Sequence, residues 1–210
     1  MYIDLKNSID NSKLKIAANM IEKGKIVIFP TETVYGIGTN GINEKAVARL
    51  YEIKRRPLNK PISLLVNSIE MINMIAKDIT DIEYKLIKEF LPGPLTIILK
   101  KKNIVPDLVT ANSHTVGVRM PKNEIALKLI EYSGVPIATP SANISGKTSG
   151  IDMKDIMKDF NKKVDCFIDS GPSEIGVSST VVQVIDGKTH ILRHGSITEE
   201  EIKNFSRNLS

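Results

Sequence analysis

Residues 24–41 read GKIVIFPTETVYGIGTNG, and this stretch decides the expected fold. The apolar run 26–29 is short and β-branched, and Pro30 follows it, so we predict a buried strand that stops there. Behind the proline come three hydroxyl side chains, one carboxylate and three glycines: Thr31, Glu32, Thr33, Tyr35, Gly36, Gly38 and Gly41. A polar, glycine-rich turn at the carboxyl end of a central strand is typical of ligand sites in α/β proteins. Taken alone, the stretch is equally compatible with a surface turn.

The glycines at 36, 38 and 41 also match G-x-G-x-x-G, a dinucleotide-binding fingerprint. In that fingerprint the first glycine directly follows the strand, and an acidic residue stands about 20 positions further on. Here six residues separate Phe29 from Gly36, and residues 57–61 contain no acid. We therefore reject a nicotinamide or flavin cofactor.

Composition narrows the class of protein. The chain has 210 residues, 41% hydrophobic and 25% charged, which is ordinary for one soluble domain, with or without a small appendage. It has neither a membrane-length apolar run nor a secretory signal pattern at its start, so we expect a cytoplasmic protein without membrane contact. The single cysteine excludes an internal disulfide, and the three histidines are not spaced for zinc. A net charge of +5 favours an anionic ligand or nucleic acid, although exposed lysines give the same value.

Periodicity and capping signals predict helices that alternate with strands. The predicted helices are Ser8–Lys23, 43–53 capped by Asn43, 80–90 opened by Thr80-x-x-Glu83, Ile125–Tyr132, Asp152–Phe160, and a last one capped by Thr198-x-x-Glu201. The predicted strands are Ile26–Phe29, Ile62–Val66, Leu95–Leu99, Val116–Arg119, Pro136–Thr139, Cys166–Asp169, Thr180–Ile185 and Thr189–Leu192. Asp186-Gly187 predicts a hairpin between the last two strands. The order favours one α/β domain with a mixed sheet and leaves the strand order open.

A basic stretch, Lys54-Arg55-Arg56-Pro57, is the second informative segment. Pro57 biases Arg56 away from the helical region, and an extended backbone would put Lys54 and Arg56 on one side. Such a pair would form a cationic clamp suited to phosphate. A solvated helix end explains the same spacing at least as well.

Residues 136–143, PIATPSAN, repeat the pattern of a short strand, a proline and small polar groups. Ser141 and Asn143 stand two apart and can face one ligand. Gly146-Lys147-Thr148 resembles the end of a P-loop, but Ser141 occupies the position where that motif needs glycine. The loop 146–150, which includes Ser149, could seat an anion or be a plain loop.

The remaining polar motifs are weak when taken one at a time. Ser178-Ser179-Thr180 enters a strand, Arg193-His194-Gly195 leaves one, and Cys166 is predicted to be inert packing. The chain offers hydroxyls, amides and fixed cations, without a Ser-His-Asp arrangement, a thiol nucleophile or a metal cage. That inventory suits holding a nucleoside triphosphate, where positioning and electrostatics supply most of the catalysis.

Seven motifs, taken together, resemble the YrdC/Sua5 family of threonylcarbamoyl-AMP synthases. They stand in the family's order over residues 8–197: Phe29-Pro30-Thr31-Glu32-Thr33-Val34-Tyr35-Gly36, Lys54-x-Arg56-Pro57, Pro92-Gly93-Pro94-Leu95-Thr96, Val118-Arg119-Met120-Pro121, Pro140-Ser141-Ala142-Asn143, Ser178-Ser179-Thr180 and Leu192-Arg193-x-Gly195. The resemblance implies a twisted mixed sheet with flanking helices around a basic concave cavity. It also implies a short, single-domain type over residues 1–210, without the extra C-terminal domain of longer members.

The resemblance further implies the reaction, in which L-threonine, bicarbonate and ATP give L-threonylcarbamoyladenylate and pyrophosphate, the first step toward t6A in tRNA. It implies a catalytic tetrad of Lys54, Arg56, Ser141 and Asn143. ATP contacts are expected at Arg56, Lys60, Thr115, Thr139, Ser149 and Arg193. Threonine contacts are expected at Thr31, Thr33, Tyr35, Arg119, Ser141 and Ser179.

The negative charges of the expected substrates indicate which cation would bind each of them. Threonine carbamate and the α-phosphate are both anionic, so we expect Arg119 to pair with the threonine carboxylate. Lys54 and Arg56 are then expected to offset charge on the phosphates. Mg²⁺ is expected to accompany the triphosphate, and no dedicated metal ligands are assigned. Further expected partners are tRNA and the components that transfer the threonylcarbamoyl group to it.

Two alternatives stay open. One is a paralogue that keeps the fold and the tetrad without this activity. The other is a non-catalytic module that binds tRNA or double-stranded RNA through the same cavity. An assay with ATP, bicarbonate and each amino acid in turn separates the enzyme from the module. Synthesis that needs threonine would support the enzyme, and salt-sensitive RNA binding without turnover would support the module.

Overall fold

A mixed β-sheet forms the centre of the molecule. The computed structural model describes residues 1–147 and 152–207, and within them the sheet has ten strands. In chain order these are β1 (Tyr2–Asp4), β2 (Val27–Phe29), β3 (Gly36–Asn40), β4 (Leu64–Leu65), β5 (Leu95–Lys100), β6 (Thr115–Arg119), β7 (Ile137–Ala138), β8 (Cys166–Asp169), β9 (Thr180–Ile185) and β10 (Lys188–Arg193).

The strands are arranged in the order β1-β8-β2-β3-β7-β4-β6-β5-β9-β10. The pairs β1–β8, β8–β2, β4–β6 and β5–β9 are parallel, and the other five pairs are antiparallel. The predicted mixed sheet with flanking helices is therefore confirmed. So is the hairpin: Asp186 and Gly187 both have positive φ, 49° and 73°, as a tight two-residue turn requires.

Eight helices accompany the sheet in the described residues: α1 (Asn11–Glu22), α2 (Glu44–Lys54), α3 (Ile69–Ile75), α4 (Asp81–Phe90), α5 (Asp107–Thr110), α6 (Glu124–Ser133), α7 (Met153–Phe160) and α8 (Glu199–Arg207). The predicted caps are present. Asn43 accepts a hydrogen bond from the third residue of α2, and Thr80 and Glu83 form a reciprocal capping box on α4. The first helix begins later than predicted because Asp10 caps it.

Strand β2 is buried on both faces, as its sequence predicted. Ile26 and Ile28 pack into one hydrophobic cluster, with side chains of α2, α4 and α7. Val27 and Phe29 alternate into a second cluster, with α1 and α6. The two clusters cover opposite faces of the sheet, and β2 is the third strand from one of its edges.

The glycine-rich segment behind β2 was expected to be a turn, and for Gly36–Asn40 that prediction was wrong. These residues form β3, antiparallel to β2 and to β7. A Cβ on Gly36 would lie 2.5 Å from Thr139 Cγ2, and one on Gly38 would lie 2.7 Å from Ile137 Cγ2. Glycine is therefore required here by close packing rather than by a turn.

The sequence patterns also missed β1, α3 and α5, which are short or irregular in their apolar spacing. Within the described residues, no helix has the length and apolar character needed to cross a bilayer.

Candidate active site

The two proline-terminated strands open on one cavity. Strands β2 and β7 flank β3 and are antiparallel to it, so they run in the same direction and end at the same edge. A β-bridge between Gly36 and Ser141 joins the segments that follow them. The cavity there has a volume of about 140 Å³. A recess of about 40 Å³ shares lining residues such as Arg119 and Ser141 with it, and Thr31, Tyr35 and Gly36 also line this recess.

Seven of the fourteen predicted site residues line this cavity. It is lined by Thr33, Arg56, Arg119, Thr139, Ser141, Ser179 and Arg193. These residues come from six separate segments of the chain, so the fold brings together motifs that are distant in sequence. Lining residues that the sequence did not single out for the site include Ser63 and Thr96. Ser63 belongs to none of the seven motifs, and Thr96 ends the motif Pro92–Thr96, to which the sequence assigned no contact.

Two of the arginines are anchored to the backbone by one edge of the guanidinium. Arg56 Nε donates to the carbonyl of Lys60 at 3.0 Å, and its Nη2 donates to that of Pro61 at 2.7 Å. Arg193 Nε and Nη2 donate to the carbonyl of Ser179 at 3.2 and 2.7 Å. Arg56 also interacts with the Tyr51 hydroxyl, and across residues 1–147 and 152–207 neither Nη1 makes a well-aligned hydrogen bond. Both arginines thus keep donors available for a ligand.

The third arginine, Arg119, is buried and paired differently. Its Nε donates to the carbonyl of Gly93 at 3.3 Å, and its Nη2 donates to Thr33 Oγ1 at 2.9 Å. Nη2 also lies 2.8 Å from Glu32 Oε2. Its Nη1, like those of the other two, has no hydrogen-bond partner in the part of the chain that the structure describes. The pairing with Glu32 could not be read from the sequence, because 87 positions separate the two residues.

Two of the guanidiniums act on the third. Although part of the Arg193 side chain is exposed, partial burial lowers its pKa, and the charges of Arg119 and Arg56 lower it further. Burial also lowers the pKa of Arg56. Arginine nevertheless stays protonated at neutral pH, so three positive charges face one small space. Such a site attracts anions strongly.

Lys54 does not form the expected clamp with Arg56. The backbone is not extended there: Lys54 is the last residue of α2, and Arg55 caps the helix in the left-handed region with φ 52°. Lys54 is only 1% exposed, and its Nζ donates to the carbonyls of Ser141 and Asn143, each at 2.5 Å. Burial lowers its pKa to about 7, with a further contribution from Arg56. The amine therefore lies behind the cavity wall.

Asn143 is engaged within its own turn. Its Oδ1 accepts from the Ser141 hydroxyl at 2.5 Å, and its Nδ2 donates to the carbonyls of Ile144 and Lys147 at 3.1 and 2.7 Å. Ser141 lines the cavity, whereas Asn143 does not. The two residues are brought together, but only the serine faces the space.

The hydroxyls of Thr31 and Thr33 form a short chain. Thr31 donates to the carbonyl of Val34 at 2.6 Å, so it accepts from Thr33 across the 2.9 Å that separates their oxygens. Thr33 Oγ1 in turn accepts from Arg119. The single proton of each hydroxyl is thus used inside the protein.

The remaining predicted residues lie further from the cavity. The Tyr35 hydroxyl donates to the carbonyl of Gly171 at 2.6 Å. Lys60 is exposed and contributes its carbonyl as the anchor for Arg56, while Thr115 lies at the opposite end of β6 from Arg119. Ser149 lies outside the described residues. Cys166 is buried, and burial raises the pKa of its thiol to about 11, as expected for a packing residue.

Known proteins resemble this chain over most of its length. The family model Sua5_yciO_yrdC, described as "Telomere recombination", matches residues 19–195. A protein of Pyrococcus abyssi named threonylcarbamoyl-AMP synthase is 46% identical over 203 residues, which are 97% of this chain and 60% of that protein. A putative threonylcarbamoyl-AMP synthase of Methanocaldococcus jannaschii is 43% identical over 189 residues, 90% of this chain and 88% of that protein.

A solved structure shows the same fold. The crystal structure of P. abyssi Sua5 complexed with L-threonine superposes with a TM-score of 0.95 at 45% identity, over 98% of this chain and 60% of that one. The chain thus spans about 60% of the length of its P. abyssi relative. The motifs, the fold and these matches agree, and the chain belongs to the Sua5/YciO/YrdC family.

Proposed function

We propose that this protein is a nucleotidyltransferase that makes L-threonylcarbamoyladenylate and pyrophosphate from L-threonine, bicarbonate and ATP. The observation that carries the proposal is the cavity in which, among the described residues, Arg56, Arg119 and Arg193 each keep an Nη1 without a well-aligned hydrogen bond. The names of the relatives in archaea and bacteria support it, as does the L-threonine in the P. abyssi complex. The product would serve transferase components that modify tRNA.

The chemistry requires two anions to meet. The threonine amine and bicarbonate give a carbamate and water. A carbamate oxygen then attacks the α-phosphorus, the bond from that phosphorus to the bridging oxygen breaks, and pyrophosphate leaves with the electron pair. No protein nucleophile is needed, so catalysis rests on positioning and on stabilising negative charge.

The three arginines divide this task. Arg119 Nη1 binds the threonine carboxylate, and Arg56 and Arg193 bind phosphate oxygens. Of the expected ATP contacts, these two and Thr139 line the cavity, whereas Lys60 and Thr115 do not. Ser141 and Ser179 present hydroxyls to the substrates from the cavity wall.

Lys54 and Asn143 act on the substrates through the turn that carries Ser141. The Lys54 amine holds two carbonyls of that turn, and the Asn143 side chain closes it. Both are positioning residues in this scheme. This role replaces the direct phosphate contact that the sequence suggested for Lys54.

Mg²⁺ enters as part of the substrate. Phosphate oxygens and water are the ligands that Mg²⁺ prefers, and it commonly reaches nucleotide sites as a complex with ATP. Bound there, it would neutralise part of the triphosphate charge and help pyrophosphate to leave.

The test is pyrophosphate release from ATP with bicarbonate and each of the amino acids in turn. We expect release only when threonine and bicarbonate are both present, together with a new adenylate that carries the mass of threonylcarbamate. Omission of bicarbonate is the matched control. Release without threonine, or RNA binding that weakens with salt and no turnover, would overturn the proposal.

A further inference from the structure

A buried carboxylate lies behind the cavity and has no role in the scheme above. Glu32 is 3% exposed, and neither of its oxygens makes a well-aligned hydrogen bond in the described part of the chain. Its compensation is the contact of Oε2 with Arg119 Nη2 at 2.8 Å. The backbone around it is fixed, because Ile175 N donates to the carbonyl of Glu32 at 2.9 Å and Gly176 N donates to that of Thr33 at 2.8 Å. An ionised group held in such a place is costly unless it is paired.

This contact distinguishes Arg119 from its two neighbours. In the described residues, Arg119 has a carboxylate partner, whereas Arg56 and Arg193 are held by carbonyl oxygens and the Ser179 hydroxyl. The cavity therefore has one end where positive charge is offset and another where it is not. A polyanion therefore binds most favourably near Arg56 and Arg193, where the positive charge is not offset. A single carboxylate can bind near Arg119, where Glu32 offsets part of the charge.

The same contact fixes the orientation of the guanidinium. Nε is held by Gly93, and Nη2 is held by Thr33 and Glu32. Only Nη1 is left free among the described groups, so a ligand carboxylate has to be received by this one nitrogen.

We propose that Glu32 is a positioning residue that reserves Arg119 for the carboxylate of the amino acid. It turns Nη1 toward the cavity, and its charge keeps the triphosphate at the end formed by Arg56 and Arg193. The inference rests on the proposed function and adds a determinant of where each substrate binds.

The test uses L-threoninol, in which a hydroxymethyl group replaces the carboxylate of threonine. Calorimetry on the full chain measures the dissociation constants of threonine, threoninol and ATP. We expect Glu32→Ala to weaken threonine binding by about tenfold to a hundredfold, the range for one charge-assisted hydrogen bond, with little effect on ATP. The preference for threonine over threoninol should shrink by the same factor.

Glu32→Gln separates orientation from charge. The amide keeps an acceptor for Nη2 but removes the negative charge, so we expect the threonine preference to persist. Pyrophosphate, used as the probe, should then compete with threonine, whereas in the wild-type protein it should compete only with ATP. If Glu32→Ala does not fold, the competition between pyrophosphate and threonine in Glu32→Gln tests the inference by itself.

Glu83→Gln is the matched control. Glu83 is also a buried glutamate, but it serves the capping box of α4 and does not line the cavity. It should lower thermal stability and leave the threonine preference unchanged. An unaltered preference in Glu32→Ala together with an unaltered competition pattern in Glu32→Gln would overturn the inference alone. A wild-type protein that does not prefer threonine to threoninol would instead count against the proposed function.

Discussion

Replacing Lys54 by methionine should separate its contribution to activity from its contribution to stability. Methionine has a similar length and fits an apolar site, but it cannot donate to the carbonyls of Ser141 and Asn143. The turn that carries Ser141 would lose its link to α2. We expect the rate of threonine-dependent pyrophosphate release to fall at least about tenfold, since a small displacement of a positioning group has effects of this size.

The change in the free energy of unfolding should be small, because two contributions to it oppose each other. Burial lowers the pKa of Lys54 from 10.5 to about 7. This lowering costs the folded state about 5 kcal/mol at neutral pH, since one pKa unit corresponds to about 1.4 kcal/mol. The variant escapes that cost but leaves two carbonyls without donors, at about 1–3 kcal/mol each. The net difference at pH 7 should therefore stay within about 3 kcal/mol.

The pH dependence gives a sharper test. Between pH 7 and pH 10 the unfolded wild-type chain keeps a proton on Lys54 that the folded protein has released. The free energy of unfolding therefore rises with pH in this window, by up to about 1.4 kcal/mol per pH unit. The methionine variant lacks this contribution. Its stability relative to the wild type should fall by about 2–3 kcal/mol between pH 7.5 and 9.5, or about 5–10 °C in melting temperature.

Thermal unfolding of both proteins at several pH values measures this difference. Melting temperatures that change in parallel between pH 7.5 and 9.5 would refute the lowered pKa of Lys54. A methionine variant with wild-type turnover would refute the role of Lys54 in holding the turn. The two results are independent, so the lowered pKa of Lys54 and its role in holding the turn are tested separately.

Three further variants test other parts of the site and the fold. Arg56→Ala should reduce threonine-dependent pyrophosphate release by orders of magnitude while the protein stays folded, and near-normal turnover would remove its assigned role. Gly36→Ala places a Cβ 2.5 Å from Thr139 Cγ2 on the cavity wall, so it should cost about 1–3 kcal/mol in denaturant unfolding and lower activity as well. Thr80→Ala removes the cap of α4, a helix that does not line the cavity, so it should cost about 1 kcal/mol and leave turnover unchanged.

Much of the fold could be predicted because local and global signals agree. The run 26–29 is apolar on both of its faces, and the structure buries both. The pair Asp186-Gly187 and the capping box at Thr80 are short-range signals that need no tertiary information. The strand 36–40 was missed because glycine has low strand propensity, and the contacts that require it come from Ile137 and Thr139 about 100 positions later.

For the site, residue types were predictable but roles were not. The motifs identified seven residues that line one cavity. They could not show that Lys54 points into the protein, because its direction depends on where the helix ends and on a turn nearly 90 residues away. The Thr31 and Thr33 hydroxyls similarly bond to the protein rather than lying free. Sequence reports which groups are present, while hydrogen-bond partners decide which of their donors remain for a ligand.

Three arginines, rather than lysines, surround this cavity for a physical reason. A guanidinium has five donors in a rigid plane, so one edge can be bonded to the protein while the other faces the ligand. Within the described residues, Arg56 and Arg193 use this division: carbonyls hold Nε and Nη2, and Nη1 is left over. An ammonium group is a point charge on a flexible stem, and holding it against carbonyls turns its charge away from the ligand. Lys54 is held in that way, behind the wall of the cavity. The arginines can face the cavity because a planar guanidinium has donors on more than one edge, whereas an ammonium group does not.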